Sequence, residues 1–194
     1  FPKSYSKGVP LGTMSDWGWH SFANPENYKP EESWRYYDYG RGRKEPYATQ
    51  IKEDKRKKAA GDWYRVNPHR LHLGTLGLSL GADPKNIQQV NQILDMWDGM
   101  IKSSFIYHGR AYQVETTCHP ELDMIATHVQ SKGSIAFDIR FAYPTGGHCD
   151  DDCDWNKDHL HSTMLVSQDK NSAVLKRTID ETVYFVMLRW QGTA

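Results

Sequence analysis

Ile135-Ala136-Phe137-Asp138-Ile139-Arg140-Phe141 carries an apolar side chain at every second position, with small or charged residues between. That is the two-residue period of a strand with one buried face. Thr182-Val183-Tyr184-Phe185-Val186-Met187-Leu188 is apolar at both parities. A strand of that kind is expected in the middle of a layered structure, covered on both sides.

Around these two runs the same pattern recurs. Ile101–Tyr107 and Ala111–Cys118 flank the turn His108-Gly109-Arg110 and predict a hairpin. Leu122–Val129, Ser162–Val166 and Ala173–Arg177 add short strands, and Leu71, Leu73, Leu76, Leu78 and Leu80 mark another from His69. Asn86–Trp97 fits both a helix and a strand, and from Gln92 onward a strand feeding the Asp98-Gly99 turn fits better. Ile51–Tyr64 is rich in helix formers, and Asn67-Pro68 closes it. Residues 1–50, aromatic and broken by Gly and Pro, read as an irregular segment packed on the rest. The expectation is a mostly β fold, an antiparallel β-sandwich with one short helix and long irregular loops, in which residues 1–194 form a single domain. The chain opens on Phe1-Pro2-Lys3 and ends shortly after an apolar strand, which reads as an incomplete fragment of a larger protein.

Formal net charge is zero, so nothing points to nucleic acid or to a charged membrane surface. The run Lys55-Arg56-Lys57-Lys58 is flanked by Glu53, Asp54 and Asp62 and reads as a solvated helix face. No spanning segment is visible, and localisation stays open: periplasmic or extracellular if a targeting segment has been removed. Three Cys give no disulfide framework. Cys149 and Cys153 are close enough to bond, and Cys118 reads as a small buried hydrophobe. The loop His148-Cys149-Asp150-Asp151-Asp152-Cys153-Asp154-Trp155 has acids for a hard cation, and with His159 or His161 it has N and S donors for zinc. Its spacing matches neither type of site, and a polar loop held by Asx turns is the better reading. No cofactor is implied.

Glu121 and Asp123 are acids of the kind glycosidases pair, but nothing in the sequence sets their separation. Asp16-Trp17-Gly18-Trp19-His20 is the most ligand-like cluster. Indole faces stack on the C–H edges of sugar rings, and Asp or His can bond to hydroxyls. Arg70 and His72 would add donors. The competing reading is that these rings only anchor the segment to the sandwich.

Several words of the chain bear a resemblance to a family. They are Val9-Pro10-Leu11-Gly12-Thr13, Ser15-Asp16-Trp17-Gly18-Trp19-His20-Ser21-Phe22, Asn67-Pro68-His69-Arg70-Leu71-His72-Leu73-Gly74, Leu94-Asp95-Met96-Trp97-Asp98-Gly99, Cys118-His119-Pro120-Glu121-Leu122-Asp123, and Tyr143-Pro144-Thr145-Gly146 with Cys153-Asp154-Trp155. Together they resemble bacterial six-hairpin-glycosidase-like proteins, similar in organisation to glycoside hydrolase family sixty-five and its relatives. The resemblance implies an N-terminal supersandwich preceding an (α/α)6 barrel that supplies the general acid and, in hydrolases, the base. It implies an oligosaccharide or glycoside as substrate, attacked with inversion by water or phosphate, and no catalysis by these 194 residues alone. Sandwich loops can close over one side of the barrel's cleft. On that implication Trp17, Trp19 and His20 lead for sugar contact, with Arg70, His72 and His119 behind. No catalytic role is carried over. The alternatives are an autonomous carbohydrate-binding module, a purely structural or protein-interaction domain and, more distantly, a metal-dependent enzyme.

Overall fold

The computed structural model describes residues 11–81, 86–147 and 153–192, with side chains from Thr13 onward. Its strands are β1 (Leu11–His20), β2 (Trp34–Asp38), β3 (Lys44–Ala48), β4 (His69–Leu78), β5 (Ile87–Asp95), β6 (Met100–Tyr107), β7 (Arg110–Cys118), β8 (Ile125–Ser131), β9 (Phe137–Arg140), β10 (Tyr143–Pro144), β11 (Cys153–Asp154), β12 (His161–Gln168), β13 (Ser172–Ile179) and β14 (Thr182–Arg189). The α-helix α1 spans Lys55–Val66. The protein is therefore mostly β, with antiparallel sheets, one short helix and irregular connections, consistent with a sandwich-like fold. No helix among the described residues is long and apolar enough to cross a membrane.

The chain, expected as one domain, divides into two compact units. One takes the described residues to Trp17 together with His72–Phe141; the other takes Gly18–Leu71 and the described residues from Ala142 onward. The boundary falls inside two strands, in β1 after Trp17 and in β4 after Leu71.

In the first unit β5, β6, β7 and β8 form a meander in chain order. The expected hairpin is there, with Phe105 opposite Tyr112 and Tyr107 opposite Arg110. His108 and Gly109 both take positive φ, as a two-residue turn with matching twist requires. The ambiguous stretch is strand from Ile87 onward, with an irregularity between Gln88 and Asn91 that accommodates Gln89 at φ 50°. Strand β9, shorter than the pattern predicts, pairs Ile139 with Leu76 and Phe137 with Leu78 on β4.

In the second unit β12, β13 and β14 form a three-stranded meander. Here one expectation fails: β14 is an edge strand, not a central one. Val183, Phe185 and Met187 are exposed, as is Met164 on β12. Met164 and Phe185 both stand opposite Lys176 of β13, so they share one face of the sheet. Apolarity at both parities marked side chains suited to burial; the described residues leave this face open.

The segment expected to be irregular contains β1 and the β2–β3 hairpin. Gly18 does not break β1, because a strand interior tolerates glycine at a modest cost. Strands β2 and β3 join through Gly40-Arg41-Gly42, each with positive φ, closed by Arg43 N–H donating to Gly40 O at 3.1 Å. Asp54 caps α1 by accepting from Lys57 N–H at 3.0 Å. Arg56 on the helix bonds Glu32, which holds that carboxyl down at about 2. Asn67 ends the helix by donating to Trp63 O at 2.9 Å, and its Oδ1 accepts from Phe22 N–H at 2.8 Å.

Candidate functional site

The end of β1 and the start of β4 lie in the second unit, and these two strands are neighbours in one sheet. Strand alternation sends consecutive residues to opposite faces. Trp19 and Arg70 face outward; His20 and His69 face inward. The Trp19 indole is 51% exposed, and the Arg70 guanidinium carbon lies 5.5 Å from its ring centroid. That cation–π geometry is worth about 0.5–1 kcal/mol at an exposed position. It places a guanidinium beside a flat apolar ring that is half exposed to solvent. Such a surface can stack a ring and bond its hydroxyls.

The inward pair is built differently. His20 Nδ1 lies 2.8 Å from Thr182 Oγ1 and Nε2 lies 3.1 Å from Asp180 Oδ2. The His69 ring stands edge-on to His20 at 5.2 Å and tilted on Phe22 at 4.7 Å, and Phe22 stacks on Tyr143 at 5.8 Å. His69 Nδ1 donates to Val66 O at 2.9 Å, which fixes its tautomer, while its buried Nε2 has no hydrogen-bond partner among the described residues. Burial pushes the His69 imidazole below its ordinary value, and the neighbouring His20 adds to this; the Val66 carbonyl and Asp180 pull the other way. Gly146 closes the nest. It has φ +69°, and a Cβ there would overlap the Val66 carbonyl oxygen and stand 2.9 Å from His69 Nδ1. Both imidazoles are buried and pack the fold, His20 bonded at both ring nitrogens and His69 at Nδ1.

The remaining sequence candidates are not gathered around one centre. Trp17 belongs to the first unit and is 76% exposed. Its N–H and that of Asp16 donate to the two carboxylate oxygens of Asp123, at 3.3 and 2.6 Å. Asp123 thus serves as a backbone anchor. His72 is buried, 3.5 Å from Thr75 Oγ1 and edge-on to Phe141 at 6.4 Å. His119 is exposed, but its Nδ1 accepts from the N–H groups of Glu121 and Leu122, both at 3.1 Å, and so ties the loop after β7. Cys118, expected to be buried, is an exposed free thiol: it shares the strand face of the buried Tyr112 and Thr116 but occupies the last position of β7, beyond their cover.

The donor loop at 148–152 lies outside the described residues. Among the described residues no group of three or more His, Cys, Asp and Glu is placed to hold an ion.

Two features escaped the sequence reading. Tyr37, Tyr39 and Tyr47 are exposed on the β2–β3 hairpin, with ring centroids 6.0 and 6.2 Å from Tyr47. The alternate spacing of Tyr37 and Tyr39 was the available signal. Arg177, buried on β13, donates to Ser162 O at 3.0 Å and to Thr163 Oγ1 and lies 2.6 Å from His161 Nδ1. Burial and this guanidinium hold the His161 imidazole below its ordinary value. No pattern in the sequence announces a buried arginine.

No family model, curated protein or solved structure matches the chain.

Proposed function

We propose that the chain is a non-catalytic, sandwich-like region of a carbohydrate-active enzyme of the six-hairpin-glycosidase kind. It would support an (α/α)6 catalytic barrel of the same polypeptide and touch sugar through Trp19 and Arg70. The observation that carries the reading is the solvent-facing indole with a guanidinium beside it, backed by imidazoles committed to internal bonds. A surface of this kind recognises a ring with hydroxyls and contains no positioned acid–base pair. The sequence words quoted above support it further, as does the apolar face of β12–β14, which is suited to cover by other polypeptide.

The test has two arms. The longer parent polypeptide is assayed on oligosaccharides with and without phosphate; turnover is expected, and phosphate dependence would make the reaction a phosphorolysis. The chain itself is titrated with the same sugars while tryptophan fluorescence is followed. Weak binding, lost in Trp19→Ala and Arg70→Ala, is expected. Hydrolysis by the chain alone would overturn the non-catalytic assignment, and a parent inert on every saccharide would overturn the enzyme reading. Tight binding by the chain alone would favour an autonomous carbohydrate-binding module.

A further inference from the structure

The first unit holds a pocket of about 250 Å³ lined by Ser79, Leu80, Tyr107, Arg110, Tyr112 and the segment 134–136. Among the described residues of that lining Arg110 is the only charged one. Its side chain is held on three sides. The guanidinium carbon lies 4.8 Å from the Tyr112 ring centroid, and Tyr112 in turn stacks with Phe105 at 4.9 Å with the planes 6° apart. Nε donates to Ser131 Oγ at 2.7 Å, and Nη2 donates to Gly133 O at 3.1 Å and Ser134 O at 2.9 Å. All of these acceptors are neutral. Among the described residues no carboxylate pairs with Arg110, and Nη1 has no hydrogen-bond partner.

The backbone contacts explain why the guanidinium is fixed. They do not cancel its charge. A cation bonded only to neutral oxygens in a half-enclosed site keeps its field, and a low-dielectric wall focuses it. Two Nη1 N–H donors with no partner among the described residues are suited to an anionic oxygen, the acceptor that gives charge-assisted bonds. The serine residues Ser79 and Ser134 bring hydroxyl groups to the lining, while Leu80, Tyr107 and Ile135 bring apolar surface. The volume lies just under the roughly 300–1,000 Å³ typical of ligand sites, so the occupant is small.

We propose that this pocket binds the oxyanion of a small molecule, a carboxylate or a phosphate group, at Arg110 Nη1. The site is independent of the Trp19–Arg70 surface and of the carbohydrate reading. It is tested by titrating the ¹⁵N-labelled chain with glucuronate, inorganic phosphate and glucose. Saturable amide shifts at Leu80, Arg110, Tyr112 and Ile135 are expected with an anion and not with glucose. The anion that saturates at lower concentration identifies the carboxylate or the phosphate form. Arg110→Met keeps the aliphatic stem on Tyr112 and should weaken binding at least about tenfold, the loss expected for a charge-assisted bond. Should that variant unfold, Ala136→Phe decides: Ala136 is exposed at the pocket, and the larger ring fills the space while leaving the guanidinium in place. Binding should vanish in it, with amide shifts elsewhere unchanged. An absence of saturable shifts with both anions at millimolar concentration, an equal response to glucose, or binding that survives Ala136→Phe would overturn the proposal.

Discussion

Trp19 and His20 are consecutive in the chain, as are His69 and Arg70, yet the two pairs they form have opposite fates. Trp19 and Arg70 face solvent and meet through a cation–π contact. His20 and His69 sit in a closed nest with Thr182, Asp180, Val66, Phe22 and Gly146. The difference teaches that residue chemistry does not by itself mark a site. Both pairs have the right groups for binding a ligand; only one has them accessible. Removing members of the inner pair should therefore cost folding stability and little else. Removing members of the outer pair should cost binding and little stability.

The largest break in that contrast is expected from Gly146→Ala. The left-handed backbone and the overlap with Val66 O act together, for a loss of about 2–4 kcal/mol in a urea melt. A midpoint unchanged from the parent chain would mean the nest is loosely packed. His20→Ala comes next. It leaves Asp180 and Thr182 without their shared partner, at a cost of about 2–3 kcal/mol, read in the same melt. Saccharide binding should survive in the folded fraction, and its loss there would place His20 in the outer site after all.

A pH series sharpens the contrast further. His69 has a lowered folded-state value, so the unfolded chain binds more protons in acid. The stability this contributes is full above the unfolded value near 6.5 and declines as pH falls below it. His161 is lowered too and acts with the same sign. Melting temperature should fall from pH 7.5 to 5.5, and the fall should be shallower in His69→Gln; an equally steep fall in that variant would leave His69 out of the effect. The smallest stability change, about 0.5–1 kcal/mol, is expected for Trp19→Ala and Arg70→Ala, which lose the cation–π contact between them. A loss several times larger would show that the indole anchors the fold, the competing reading of that cluster.

Much of the strand content was legible because alternation is a local property. The hairpin joining β6 and β7 follows from two alternating runs around His108-Gly109, and α1 follows from its helix formers, although it starts at Lys55 behind the Asp54 cap and not at Ile51. The β2–β3 hairpin was not read, although Tyr37 and Tyr39 stand two apart, because aromatic mass next to Gly40-Arg41-Gly42 looked like irregular packing. Of the six candidate site residues, Trp19 and Arg70 come together in an accessible pair, His20 and His72 are buried, His119 ties a loop, and Trp17 is exposed in the other unit.

The sequence by itself determined the antiparallel strands, the helix and its C-terminal stop, and the groups able to stack or hydrogen-bond. Each depends on neighbours within a few positions: period-two alternation, a run of helix formers, an Asn-Pro stop. Only the tertiary structure decided that, among the described residues, β14 is an edge, that His20 meets Asp180 and Thr182 from the far end of the chain, and that Arg110 is fixed by the neutral oxygens of Ser131, Gly133 and Ser134. Those outcomes depend on which distant groups complete a partner's hydrogen bonds or cover its face. Long-range pairing of that kind leaves no period in the sequence.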